Sequence, residues 1–115
     1  MANTFDEGEL LDRVDNDLGF LTETVQMLQC DGQSAMQQIR DAMTAGDAPA
    51  LGRAAHALKG IVSNFCSPQT QVIALAVEQM GKKGDLSAAP EAVTILGDRL
   101  EALLGELATF VKERR

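Results

Sequence analysis

The 115-residue sequence has no tryptophan and no tyrosine, only four phenylalanines, two cysteines, three prolines and a single histidine. Each scarcity excludes something. With aromatics at 3% of the chain, the 45% that is hydrophobic is built from Leu, Ala, Val, Ile and Met, residues that favour helices packed on helices. No apolar run reaches the roughly 18 residues of a membrane span, and no basic segment leads into an apolar one, so the sequence reads as soluble and cytoplasmic with no membrane contact. Ten lysines and arginines face 17 aspartates and glutamates, a formal net charge of −7. That balance argues against nucleic acid as a partner, since a phosphate backbone needs clustered positive charge. Cys30 and Cys66 stand far apart with no CxxC spacing, as free thiols of a reducing compartment would. Two cysteines and one histidine fall short of the roughly four ligands of a structural zinc site. No metal site is expected, and no cofactor. No glycine-rich nucleotide loop occurs either, so the chain is not read as a self-contained enzyme with its own ATP site.

What is present is helical periodicity throughout. Phe5-Asp6-Glu7 opens a short first helix carrying Leu10, Leu11 and Val14, and Asp15-Asn16-Asp17 breaks it with good capping residues. A long helical segment follows from about Leu18 to Ala45, with Leu21, Val25, Leu28, Ala35, Ile39 and Ala42 or Met43 at helical spacing. Gly32 interrupts that stripe, which predicts a kink or brief break there. Gly46 is placed as a C-terminal cap, Asp47 as the next N-cap and Pro49 in the first turn. The helix carrying His56 is expected to run to about Cys66. Ser67-Pro68 restarts the chain, and the next helix, with Val72, Leu75, Ala76 and Met80 as its apolar positions, runs to Lys82. Lys83-Gly84-Asp85 forms a turn. The last helix, about Ala88 to Glu113, carries Val93, Leu96, Leu100, Leu103, Leu107 and Phe110. The expected fold is all-α, one domain over residues 1–115: an antiparallel four-helix bundle with a short extra N-terminal helix as a lid on one end.

The lone histidine opens the pentapeptide His56-Ala57-Leu58-Lys59-Gly60. On a helical wheel at about 100° per residue, Leu51, Ala54, Ala55, Leu58, Ile61, Val62 and Phe65 fill one arc. His56, Gly52, Lys59 and Ser63 fall in a strip on the opposite side, flanked by Arg53, Gly60 and Asn64, so His56 is expected to face away from the core. A neutral imidazole is a good nucleophile near neutral pH. Lys59, one turn on, sits where it can screen phosphoryl oxygens. Gly60 costs about 1 kcal/mol against alanine in a helix interior, and its missing side chain lets another protein's backbone approach the imidazole. Nucleophile, charge and gap together suit a phosphoryl group carried to and from a second protein.

These residues resemble the HxLKG…N signature of the histidine-containing phosphotransfer domain family, with Asn64 as the trailing asparagine. The resemblance extends over nearly the whole chain, from Phe5-Asp6 to the last helix. It implies that His56 is the phosphorylation site, that Lys59 assists electrostatically and that Gly60 gives a partner access; the strip around His56 on the wheel adds Gly52, Arg53, Ser63 and Asn64 as expected docking residues. It implies as partners the receiver domains of response regulators and hybrid histidine kinases, whose aspartates hold the phosphoryl group and bring Mg²⁺, with this chain acting as a monomer. Many family members have glycine where Cys66 stands here. The nearest alternative is the phosphoaccepting domain of a chemotaxis-type kinase. A helical binding module that is never phosphorylated is a third reading, and it leaves a mid-helix glycine beside the only histidine unexplained.

Overall fold

A computed structural model describes residues 5–114 of the chain. Five helices follow in order: α1 (Glu7–Arg13), α2 (Leu18–Ala45), α3 (Ala48–Val62), α4 (Pro68–Lys83) and α5 (Ala89–Arg114), with a 3₁₀ turn, Ser63–Phe65, after α3. Helices α2 to α5 form the antiparallel bundle, in which α2 packs on α3, α3 on α4, α4 on α5 and α5 back on α2.

Local chemistry sets the boundaries. Asp6, Asp17 and Asp47 each accept a hydrogen bond from the backbone N–H three residues on, at 3.0, 3.0 and 3.1 Å, satisfying donors that the first helical turn leaves unpaired. Asp15 and Asn16 both adopt positive φ, a conformation their side chains tolerate better than most, and this separates α1 from α2. Gly46 and Gly84 close α2 and α4 in the left-handed conformation. Cys66 also has a left-handed backbone, φ 54° and ψ 45°. That is the physical reason a glycine suits this position, and a Cβ there costs roughly 1–2 kcal/mol. Burial pushes the Cys66 thiol upward in pKa, with Glu9 adding to the shift and Arg13 opposing it, so the thiol stays protonated and unreactive.

The two long helices, α2 and α5, outreach α3 by about three turns or more. The space beyond the end of α3 is filled by the N-terminal segment. The Asp6 backbone N–H donates to the Cys66 carbonyl at 2.9 Å, Phe5 meets Phe110 edge to face at 5.4 Å, and Leu10 is buried. The short first helix is thus the expected lid.

The core is aliphatic. Leu21, Val25, Leu28, Ile39, Leu51, Leu58, Val62, Leu96, Leu100, Leu103 and Leu107 are buried, as their spacing predicts. Two expectations fail. The brief break allowed at Gly32 does not occur: helix α2 is continuous there, and the missing side chain lies against Leu28 and Leu100. A glycine penalty of about 1 kcal/mol cannot break a helix anchored by buried leucines on both sides. In α4 the face is reversed. Val72 and Leu75 are exposed and Ala76 and Met80 half-buried, while Thr70, Ala74, Val77, Glu78 and Gly81 point inward. The small residues win because α4 must approach α3 closely. A Cβ on Gly81 would stand 2.6 Å from Gly52 Cα and 2.7 Å from the Ala48 carbonyl oxygen.

Candidate functional site

The core face of α3 buries Leu51, Ala54, Ala55, Leu58 and Val62, which rotates His56 outward with its side chain 68% exposed. The imidazole is nonetheless not free. Its Nδ1 lies 3.1 Å from Oε2 of Glu78, a carboxylate on α4 whose side chain is 2% exposed. Two ammonium groups reach the same carboxylate: Lys59 Nζ at 2.8 Å from Oε1 and Lys82 Nζ at 3.0 Å from Oε2. Oε1 accepts no aligned hydrogen bond, so Lys59 holds it by charge and proximity. The Lys59 ammonium, then Lys82 and then His56 stabilise the anion, and they outweigh burial, which alone would raise the value; the carboxyl is held down to about 2. Glu78 is therefore an anion at any physiological pH.

That ionisation fixes the imidazole. An ionised carboxylate only accepts hydrogen bonds, so Nδ1 carries the hydrogen and donates it to Oε2. In the neutral ring the lone pair is then on Nε2, the nitrogen opposite Glu78. A nucleophilic nitrogen is presented outward, and the ring behind it rests on a negative charge that favours the cation formed when the Nε2 lone pair attacks an electrophile.

The surroundings divide into two concavities. One, about 590 Å³, lies between α3 and α4 and is bordered by His56, Arg53, Glu78 and Lys82 over the Gly52–Gly81 crossing. The other, about 420 Å³, is bordered by Lys59, Gly60 and Ser63 of α3 and by Pro68, Val72 and Leu75 of α4. Gly60 is exposed, and a side chain added there would meet nothing within 4 Å.

The structure brings His56, Lys59, Arg53 and Gly60 together on one face. It moves Gly52 out of the exposed strip. Gly52 is buried against α4, where its missing Cβ would lie 3.5 Å from the Glu78 carbonyl oxygen, so its placement follows from the helix crossing. Ser63 and Asn64 lie two turns beyond His56. The Ser63 hydroxyl donates to the Gly60 carbonyl at 2.6 Å, and Asn64 is exposed in the 3₁₀ turn. Glu78 is absent from the sequence reading, and Lys82 enters it only as the end of a helix. Their signal was a carboxylate set among Ala74, Val77 and Gly81 at helical spacing, with a lysine four residues later, and it was hidden behind the more hydrophobic Val72 and Leu75.

Among the described residues no group of three or more His, Cys, Asp or Glu side chains is arranged to hold a metal ion, and no helix is long and apolar enough to cross a membrane. Comparison with known proteins agrees with the geometry. Residues 23–109 match the family model of the Hpt domain. The structure is similar to the crystal structure of histidine-containing phosphotransfer protein B (HptB) from Pseudomonas aeruginosa PAO1, with a TM-score of 0.91 over 100% of both chains at 20% identity; at that identity the likeness is one of fold. No curated protein sequence matches the chain.

Proposed function

This chain belongs to the Hpt domain family, the histidine phosphotransfer domains of two-component phosphorelays, and we propose that His56 is its phosphoryl-accepting residue and that the phosphoryl group passes between His56 and receiver-domain aspartates. The observation that carries this reading is the buried Glu78 carboxylate 3.1 Å from Nδ1. It selects the tautomer in which Nε2 is the outward nucleophile. Attack by Nε2 on the aspartyl phosphate forms the N–P bond and breaks the P–O bond, whose electron pair leaves on the aspartate carboxylate. The ring becomes cationic, its Nδ1–H remains on Glu78, and the opposed charges stabilise that state. Transfer onward reverses these changes.

Lys59 supplies positive charge beside the reacting group. Mg²⁺ and its carboxylates come from the receiver, as phosphoryl transfer needs charge neutralisation that this chain does not provide alone. Docking uses the open side of α3. Gly60 leaves room for a partner's backbone, and the exposed Val72 and Leu75 beside it offer apolar contact. Arg53, Lys59 and Lys82 make this face positive on an acidic chain, which suits a partner whose own site is built from carboxylates.

The test is incubation with phosphorylated receiver domains and Mg²⁺. The wild-type chain should acquire phosphate that survives alkali and is lost in acid, and His56→Gln should acquire none while melting at nearly the wild-type temperature. Labelling of the His56→Gln chain would overturn the assignment.

A further inference from the structure

We propose that Lys82 is a second phosphoryl-stabilising residue, held on Glu78 while His56 is unmodified and drawn to the phosphoryl group once His56 carries one. The inference rests on the reading of His56 as the phosphoryl acceptor and extends it to a residue on a different helix.

The first observation is which cation shares the space in front of the imidazole. The 590 Å³ hollow beside His56 is bordered by Lys82 and Arg53, whereas Lys59 borders the neighbouring groove. The hollow lies over the crossing of α3 and α4, and Gly52 and Gly81 line it. The second observation is proximity. Lys82 Nζ and His56 Nδ1 contact the same oxygen, Glu78 Oε2, at 3.0 and 3.1 Å. Their separation therefore cannot exceed the sum of two hydrogen bonds. The third is freedom to move. The Lys82 side chain is 62% exposed and that of Lys59 31%, so Lys82 changes partner with less rearrangement and less desolvation.

Charge decides the direction of the exchange. In the resting site one carboxylate faces two ammonium groups. A phosphoryl group adds roughly −1.5 to −2 charges and three acceptor oxygens, in a hollow that already holds Lys82. Lys82 then exchanges a Glu78 oxygen for a phosphoryl oxygen. Lys59 remains on Oε1 and the cationic ring on Oε2, so the buried carboxylate is never left unpaired. No proton changes hands in this exchange, and the covalent step is the one at Nε2 described above. The competing account is that Lys82 is only the helical i,i+4 partner of Glu78, which contributes to folding and nothing to the phosphoryl group.

Phosphoramidate, a small donor that needs no docking, separates these accounts. Wild type, Lys82→Gln and Lys82→Arg are phosphorylated with it, and both the labelling rate and the ³¹P titration midpoint of the phosphohistidine are followed. Lys59, Arg53 and Glu78 face the same group and are unchanged throughout. Lys82→Gln should label about fivefold more slowly, its ³¹P midpoint should move to higher pH, and Lys82→Arg should restore both. A Lys82→Gln chain that matches wild type in rate and midpoint overturns the inference, as does one that melts lower with an unmoved midpoint. Failure of the wild-type chain to label at His56 overturns the carrier reading itself, and this inference with it.

Discussion

Gly52 and Gly60 lie two turns apart on α3, and the molecule uses them in opposite ways. Gly52 is buried where α4 crosses, and its partner in that crossing is Gly81, whose missing Cβ would collide with the α3 backbone. Gly60 meets nothing within 4 Å. The first marks where two helices of the same chain come together, a crossing closed by the missing side chain of Gly81, which sets Glu78 under His56. The other leaves open space on the exposed face of α3, the gap proposed to admit a partner. Composition treats both as helix-weakening residues, yet only contact distinguishes an internal crossing from an external approach.

The sharpest way to break this comparison is Gly81→Ala. Its Cβ would meet backbone that cannot move unless α3 and α4 separate, so unfolding stability should fall by about 3 kcal/mol in a urea titration. Gly52→Ala, whose Cβ would meet α4 only at 3.5 Å, should lie within about 1 kcal/mol of wild type. Equal losses in the two variants would show that the crossing is not closed at Gly81.

Next in size is the carboxylate that the crossing positions. Glu78→Gln should destabilise the chain by about 2 kcal/mol at neutral pH, since hydrogen bonds to a charged group are lost. The sign of its pH dependence follows from the depressed value. With the folded carboxyl at about 2 against an ordinary 4.5, the stabilisation is complete above about 4.5 and is lost as pH falls toward 2. Thermal melts between these limits should therefore converge for wild type and variant as acid is added. Curves that stay parallel would mean the carboxylate is not paired as described.

The smallest effects on stability belong to the open glycine. Gly60→Ala should stabilise the chain by up to about 1 kcal/mol. Gly60→Gln should fold and accept phosphate from phosphoramidate normally, but take it from a receiver domain far more slowly. Lys59→Ala should slow both donors, because it removes charge rather than access. Receiver transfer at the wild-type rate in Gly60→Gln would remove the docking role from this gap.

Much of the architecture was legible because leucine is unambiguous. The stripe from Val93 to Phe110 and the stripe from Leu21 to Ala42 are both buried, and three aspartates cap helices α1 to α3 where their chemistry suits them. The outward direction of His56 followed from the arc of Leu51, Leu58 and Val62. Helix α4 was misread for a physical reason. Its close approach to α3 selects small residues, so Ala74 and Gly81 face inward while Val72 and Leu75 face solvent, and a rule that buries the most hydrophobic residues picks the wrong side. With α4 turned over, Glu78 and Lys82 fell out of view. Half of the charge around His56 was therefore missed, although the outward direction of the imidazole was read correctly. Gly52 was misplaced by the same omission, since only the position of α4 makes it buried.

The central claim is that Glu78 holds Nδ1 and leaves Nε2 to react. Phosphorylating ¹⁵N-histidine-labelled chain with phosphoramidate and recording ¹⁵N–³¹P coupled spectra tests it directly. The account predicts phosphorus bonded to Nε2 of His56, with Nδ1 still protonated. Phosphorus on Nδ1, or on any other residue, would contradict it.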